Sequence, residues 1–176
     1  GLNLGPREGV IEAMLERLKT IYLKHERPVS LIGWSLGGLY ARELAKAHPE
    51  IVRSVITMGT PFTGHPKATN AWRVYQFVTG HKLDREDLHE PLRAPPPVPT
   101  TSIFSRTDGI VSWHCSLEHA TEHSESIEVK ASHLGMGMNP LTLYAIADRL
   151  AQPEHDWKPF DRSGVLACLY PNPYRR

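Results

Sequence analysis

The spacing of apolar residues along the first half of the chain alternates between helical and strand-like, which predicts a helix, a strand, a helix and a strand in turn. Between Pro6 and Glu26 they recur every three or four residues, which gives a helix with one apolar face. The apolar runs at 29–34 and 51–58 have the length of buried strands, and residues 36–47 between them follow a helical period. A strand, a crossover helix and a second strand predict two parallel neighbours in one sheet.

The second half resumes this alternation after an interruption. Residues 62–99 break the pattern, with a short helix predicted at 70–79 and a proline-rich end. A long insertion between sheet elements is typically functional, so we interpret it as a cap or lid. Two more strands and a closing helix are predicted after it, at 101–105, 126–130 and 140–151.

Together these elements predict an α/β fold, a mostly parallel sheet with helices on both faces and a small helical cap insertion. The core is expected to comprise residues 1–61 and 100–151, with the cap at 62–99 and a C-terminal tail, 152–176, packed on the core. The chain starts without a methionine and on what looks like a loop entering a helix. We therefore expect an N-terminally truncated fold, part of a longer or processed chain.

Composition narrows the classes of function. The 176 residues carry a net charge of +1 and no basic run, so no nucleic-acid partner is expected. No apolar run approaches about 18 residues, so no membrane span is expected. No signal peptide is visible either, and we expect a soluble protein whose compartment stays open, with the cytoplasm slightly favoured. Two cysteines, Cys115 and Cys168, indicate free thiols more than a single bridge.

The first predicted strand runs directly into Gly33-Trp34-Ser35-Leu36-Gly37, a G-x-S-x-G pattern followed by a helix. In such a strand–turn–helix the serine hydroxyl is lifted clear of the sheet. The flanking glycines leave room where a Cβ would meet neighbouring backbone. The Leu36 amide would point to the helix start, where a developing oxyanion is stabilised. Ser35 is therefore a candidate nucleophile.

A serine nucleophile needs a base, and the base needs a carboxylate that orients it. Asp108 and His133 each follow a predicted strand, so the carboxyl ends of parallel strands would bring both to the edge that carries Ser35. Their order along the chain, Ser, Asp and His, is the one expected of α/β-hydrolases. Alternatives for the base and the acid are His114, Glu118 and Glu122.

A second cluster, Cys115, His119 and His123, has a four-residue helical spacing that metal ligands also use. No Asp or further Cys completes a tetrahedral set there. We therefore interpret the cluster as a polar, solvated helix face and expect no metal site.

Four segments together resemble the C-terminal two-thirds of an α/β-hydrolase of the esterase or lipase type, over about residues 3–151. They are a nucleophile elbow, an exit to a cap, an acid loop and a His loop, at 33–38, 59–62, 105–111 and 132–136. The resemblance implies that Ser35 is the nucleophile, His133 the general base and then acid, and Asp108 the residue that orients His133. It implies ester hydrolysis through an acyl-enzyme, without metal or cofactor.

Before Ser35 the sequence departs from this family. The family normally has several strands ahead of the elbow, and one of their loops supplies the second oxyanion donor. No His-Gly or Gly-Gly-rich segment precedes Ser35 here, so that donor is not assigned and the strand at 29–34 lacks its usual neighbour. Three alternatives stay open: a longer chain, a homo-oligomer or partner chain that completes the sheet, or a donor from the cap backbone.

The expected substrate is a small-molecule or lipid ester. Its candidate contacts are Trp34, Trp72, Tyr75, Phe77 and Met136, although the three aromatics at 72–77 serve equally well to pin a small helix to the body. Two alternatives to ester hydrolysis remain. One is an acyltransferase or amidase with the same triad, and the other is a non-catalytic binding module on this fold.

Overall fold

A four-stranded parallel sheet forms the centre of the protein in the computed structural model, which describes residues 9–63 and 93–175. The strand order is β1-β2-β3-β4, and every neighbouring pair is parallel. The strands are β1 Val29–Trp34, β2 Val52–Met58, β3 Thr100–Phe104 and β4 Ser124–Glu128. The helices are α1 Val10–His25, α2 Leu36–Ala47, α3 Pro140–Ala151 and α4 Leu166–Leu169. Short 3-10 turns occur at Pro49–Ile51, Trp113–Ser116 and Met136–Met138.

Helices cover both faces of this sheet, as the sequence predicts. Val55 and Ile56 are neighbours on β2 and point to opposite faces because side chains alternate along a strand. The face of Val55 packs against α1 and α2 through Leu18, Ala41, Ala45, Ile51, Val52, Val55 and Val98. The face of Ile56 packs against α3 and the C-terminal tail through Ile56, Met58, Ile103, Ile127, Val129, Met136, Ala145, Phe160 and Tyr170. The α/β class is therefore confirmed.

Backbone conformation sets both ends of α1. Gly9 precedes the helix with φ 84°, a left-handed conformation that glycine adopts without steric cost. At the other end Glu26 is also left-handed, and its N–H donates to the Tyr22 carbonyl at 2.7 Å. The predicted helix start at Pro6 lies outside the described residues, and the described helix begins at Val10.

The fourth strand shows how a polar sequence can be buried. It was expected at 126–130 but lies at 124–128, and all five of its side chains are buried although four of them are Ser or Glu. A polar strand gives no apolar run from which to read its bounds. The predicted bounds therefore lie two residues too late.

The C-terminal tail supplies hydrogen-bond partners that offset the cost of burying these carboxylates. The Phe160 N–H donates to Glu125 at 2.8 Å, and the Arg175 guanidinium donates to Glu128 at 2.8 Å. Burial raises the pKa of the Glu125 carboxyl, although the Phe160 N–H and the nearby Arg149 favour its charged form. The tail is thus bonded to the sheet edge despite having little regular structure.

Part of the predicted cap lies outside the residues that the structure describes. The segment's ends are described at 62–63 and 93–99, and Val98 among them is buried in the core. The predicted helix at 70–79, with Trp72, Tyr75 and Phe77, lies outside the described residues. A cap with these bounds stays a prediction.

None of the helices in residues 9–63 and 93–175 combines the length and the apolar character that crossing a membrane requires. Both cysteines are free thiols, Cys115 buried and Cys168 exposed.

Candidate active site

Ser35 occupies a strained turn between β1 and α2. Its φ of 54° and ψ of −122° lie in a region that side-chain-bearing residues rarely adopt. Three hydrogen bonds hold it there: the Ser35 N–H donates to Met58 O at 2.8 Å, and the Ser35 carbonyl accepts from Gly38 N–H at 3.1 Å and from the Thr60 hydroxyl at 2.9 Å. Such strain persists only where the surroundings fix it, and it is concentrated at functional sites.

Two glycines let β1 and α2 pack closely, but they are not the two that flank Ser35 in the sequence pattern. A Cβ on Gly33 would lie 2.4 Å from Gly37 O and from two backbone atoms of Gly38. A Cβ on Gly38 would lie 2.0 Å from the Thr60 hydroxyl oxygen. A Cβ on Gly37 would meet nothing within 4 Å, so the expectation that Gly37 avoids a backbone collision is wrong. Gly33 and Gly38 are the residues that close packing requires.

Gly33→Ala is expected to lower the free energy of unfolding by at least about 3 kcal/mol, because a methyl group would have to displace fixed backbone. Gly37→Ala, the matched control, is expected to raise it by about 0.5–1 kcal/mol, since alanine favours the helix. Urea unfolding of both variants measures the two changes. Equal stability of Gly33→Ala and the wild type would contradict this account of the turn.

Asp108 and His133 are brought together at the end of the sheet where Ser35 lies. His133 Nδ1 lies 2.7 Å from Asp108 Oδ2, and both side chains are almost fully buried. The backbone N–H of His133 also donates to the backbone carbonyl of Asp108 at 2.9 Å. The loops that carry the two residues are therefore joined by two hydrogen bonds. A Cβ on Gly59, at the end of β2, would lie within 3.2 Å of both side chains. The pair is thus packed directly against the strand next to β1.

The other carboxylate oxygen of Asp108 is held by its own loop. Asp108 Oδ1 accepts from the Ile110 N–H at 2.9 Å and from the Val111 N–H at 2.6 Å. Burial alone would raise the pKa of Asp108, but the bonds from His133, Val111 and Ile110 outweigh it and leave the pKa below its ordinary value. The carboxylate is therefore charged at neutral pH and oriented at both oxygens.

Trp34 links the elbow to the His loop. Its indole N–H donates to the His133 carbonyl at 3.1 Å, and the two rings lie 5.3 Å apart at a tilt of 38°. The side chain is nevertheless 42% exposed, so its outer surface remains open to a ligand. Leu36 is the first residue of α2, so its N–H belongs to the helix start, where amides lack intrahelical acceptors.

Met136, a predicted substrate contact, is a buried core residue, and its contact with a substrate stays a prediction. Its side chain is 0% exposed and lies in the core cluster under α3. Packing explains this residue without a substrate.

The rival residues have other partners. His114 stacks on Trp113 with ring centroids 3.6 Å apart, and Glu118 is ion-paired with Arg42. Glu122 is exposed. None of the three has a described contact with the Asp108–His133 pair.

The spacing of Cys115, His119 and His123 is not helical in the structure. One 3-10 turn ends at Ser116, Cys115 is buried, and the two histidines are exposed. Across the described part of the chain no three His, Cys, Asp or Glu side chains are grouped so as to hold a metal ion. The interpretation as a helix face was wrong, because spacing alone does not show that a helix forms.

Two residues were not singled out from the sequence, although the structure bonds one to the Ser35 turn and buries the other. The Thr60 hydroxyl bonds the Ser35 carbonyl, and Arg42 lies fully buried on α2. The Gly-Thr-Pro that ends β2 was a signal for Thr60. No signal in the sequence distinguishes Arg42 from a surface arginine on a helix.

Comparisons with known proteins bear on the fold. A family model described as alpha/beta hydrolase fold matches residues 8–90. The lipase BlEst2 of Bacillus licheniformis is 18% identical with a TM-score of 0.59, over 77% of this chain and 70% of that one. NosK of Streptomyces actuosus is 20% identical with a TM-score of 0.57, over 88% of this chain and 82% of that one.

A monoacylglycerol lipase of Paleococcus ferrophilus is 15% identical with a TM-score of 0.47, over 69% of this chain. The match spans 65% of that lipase, slightly less than two thirds of its length. No curated protein sequence matches the chain significantly. The parallel sheet, the family model over residues 8–90 and the structural matches to BlEst2 and NosK show that the chain has the α/β-hydrolase fold.

Proposed function

We propose that the protein is a serine hydrolase that cleaves carboxylic esters through an acyl-enzyme. The observation that carries the proposal is the 2.7 Å contact between His133 Nδ1 and Asp108 Oδ2, at the sheet edge that also bears the strained Ser35 turn. A carboxylate on Nδ1 holds the proton there and leaves Nε2 as the basic nitrogen. This is the arrangement that a serine nucleophile needs.

In the proposed reaction, Ser35 Oγ attacks the ester carbonyl while His133 Nε2 takes the hydroxyl proton. The Leu36 N–H donates to the oxyanion that forms, at a helix start where the backbone dipoles favour negative charge. The tetrahedral intermediate collapses, and His133 returns the proton to the departing alcohol. Water then attacks the acyl-enzyme by the same route, which releases the acid and restores Ser35.

Exposed apolar side chains beside each member of the triad favour an apolar substrate. Trp34 precedes the nucleophile, Ile110 follows the acid, and Leu134 follows the base. They are 42%, 47% and 73% exposed, although side chains of this size are usually buried. Exposed apolar surface around a reactive group is typical of binding sites, so an ester with an apolar acyl or alcohol group is the proposed substrate class. Trp72, Tyr75 and Phe77 remain predicted contacts.

The test is labelling with a fluorophosphonate, which forms a covalent adduct with activated serines, followed by mapping of the labelled peptide. We expect one adduct, at Ser35, on the folded wild type. Ser54→Ala is the matched control, because the Ser54 hydroxyl bonds Ser30 in β1, away from the triad. This variant should label like the wild type.

Two outcomes would contradict the proposal. An adduct that maps to another serine would remove Ser35 as the nucleophile. A folded wild type that neither labels nor hydrolyses short esters would favour a binding module on the same fold. Where labelling succeeds, product analysis with water and with added alcohols or amines separates a hydrolase from an acyltransferase.

A further inference from the structure

Arg42 lies on α2, two turns after the candidate nucleophile, and its side chain is completely buried. Its guanidinium forms an ion pair with Glu118, whose side chain is also completely buried. The same guanidinium donates to the carbonyls of Arg93 and Ala94, at 3.3 and 3.1 Å, and covers the Phe62 ring at 3.8 Å. One side chain therefore contacts three separate stretches of chain.

Two of these stretches are the two ends of the segment between β2 and β3. Phe62 lies where the chain leaves β2, and the carbonyls of Arg93 and Ala94 lie where it returns toward β3. The leaving end is also held by the N–H groups of Phe62 and Thr63, which both donate to Cys115 O at 2.9 Å. Arg42 is thus the side chain that joins both ends to the helix that begins after Ser35.

Stability alone does not account for this ion pair. Two buried charges lose their hydration, and replacing such a pair by apolar residues of similar size is often neutral or stabilising. Here Arg42 Nε and Glu118 Oε1 are buried without a hydrogen-bond partner in the described structure, which adds to the cost. An apolar residue could not replace the hydrogen bonds of Arg42. Its planar guanidinium has several donors and bonds a carboxylate and two carbonyls at once.

We propose that Arg42 is a positioning residue that holds Phe62, Arg93 and Ala94 on α2 and thereby sets which esters the site accepts. The part concerning esters rests on the proposed function. Arg42 lies about 10 Å along the helix from Ser35, from a rise of about 1.5 Å per residue. We expect a short ester to stay at the Ser35 turn, short of these residues, and a long ester to extend toward them.

The decisive variant replaces both partners, Arg42→Met with Glu118→Leu. Single replacement would leave one buried charge unpaired and destabilise the fold, whereas the double variant removes both charges at similar volume. Hydrogen exchange measured by NMR follows the amides of Phe62 and Thr63, which we expect to exchange about tenfold faster than in the wild type. Amides within β2 should be unchanged. The returning end is followed by a spin label at Ala94→Cys with Cys168→Ser, which we expect to become more mobile.

Activity supplies the second measurement, with p-nitrophenyl acetate and octanoate as the short and long esters. We expect the double variant to keep its rate of fluorophosphonate labelling and of acetate hydrolysis. Its preference for octanoate in kcat/KM should fall by about tenfold, the size of discrimination that apolar contacts provide. The change should appear in KM more than in kcat.

The molecule contains a matched control in the Arg149–Glu125 pair. Arg149, on α3, also bonds a buried glutamate, donates to a backbone carbonyl, that of Lys158, and lies 5.5 Å from a phenylalanine ring. It contacts the C-terminal tail and not the ends of the 62–99 segment. Arg149→Met with Glu125→Leu should therefore leave the exchange of Phe62 and Thr63 and the ester preference unchanged.

Unchanged exchange and label mobility in the Arg42 double variant would overturn the proposal, and so would the same changes in the Arg149 control, which would indicate general loosening. A changed exchange with an unchanged ester preference would overturn the part concerning substrate selection. The failure of the proposed function is distinguishable: the wild type would then not label or hydrolyse either ester, while exchange and mobility would still test the anchoring.

Discussion

Ser35→Ala is expected to lower kcat for ester hydrolysis by about 10⁶, and His133→Ala by a similar factor, because neither residue can form the acyl-enzyme without the other. Since the two act as one unit, the double variant should be only slightly slower than either single variant. The residual rate would come from binding and from the Leu36 amide. Steady-state rates with a p-nitrophenyl ester measure all three variants.

Circular dichroism and urea unfolding control for loss of the fold. His133 is buried and bonded to Asp108, so His133→Ala is expected to lose some stability, whereas Ser35→Ala should not. If the two losses in kcat multiplied in the double variant, Ser35 and His133 would not act together. Retained activity in Ser35→Ala would remove the serine mechanism altogether.

Asp108→Asn is expected to lower kcat by about 10⁴ while leaving the backbone in place. The asparagine oxygen can still accept from Ile110 and Val111, but its NH₂ group would donate to His133 Nδ1. The histidine proton would then move to Nε2, the nitrogen that must accept the serine proton. Rates at neutral pH measure the loss, with Asp148→Asn as the control, because Asp148 pairs with Arg149 away from the triad.

The same substitution tests the electrostatics of the carboxylate. Because the pKa of Asp108 in the folded protein is below its ordinary value, its charge contributes stability that is fully present above about pH 4. That contribution disappears as the pH falls through the lower folded-state pKa. Urea unfolding should show the wild type more stable than Asp108→Asn at pH 7, with the difference shrinking in acid. A difference that grows in acid would show that the pKa is raised.

Local patterns in the sequence were sufficient to predict the elements on which the triad candidates sit. The apolar run of β1 has the predicted bounds, 29–34, and α2 follows it at 36–47. Parallel pairing then places the residues after β3 and β4 at the edge that carries Ser35. This is why Asp108 and His133 could be chosen among many acids and histidines. Their assigned roles stay predictions.

The features that were missed depend on contacts between distant parts of the chain. Glu125 and Glu128 are buried beside arginines from distant parts of the chain, those of the tail among them, and no local pattern reveals that. Arg42 looks like a surface residue of an amphipathic helix until Phe62 and Ala94 are seen against it. The need for glycine at Gly38 likewise arises from Thr60, 22 residues later in the sequence.

The bonded C-terminal tail has a consequence for where this folding unit ends. The last described helix of more than four residues ends at Ala151, which would be the natural place to shorten the chain. A chain shortened there would lose Arg162 and Arg175, leave the carboxylates of Glu125 and Glu128 short of partners, and uncover the open side of β4. The edge strand β4 would then carry buried carboxylates with fewer partners, and we expect the shortened chain to be less stable. These ion pairs, and not helix or strand content, therefore make the tail part of the folding unit.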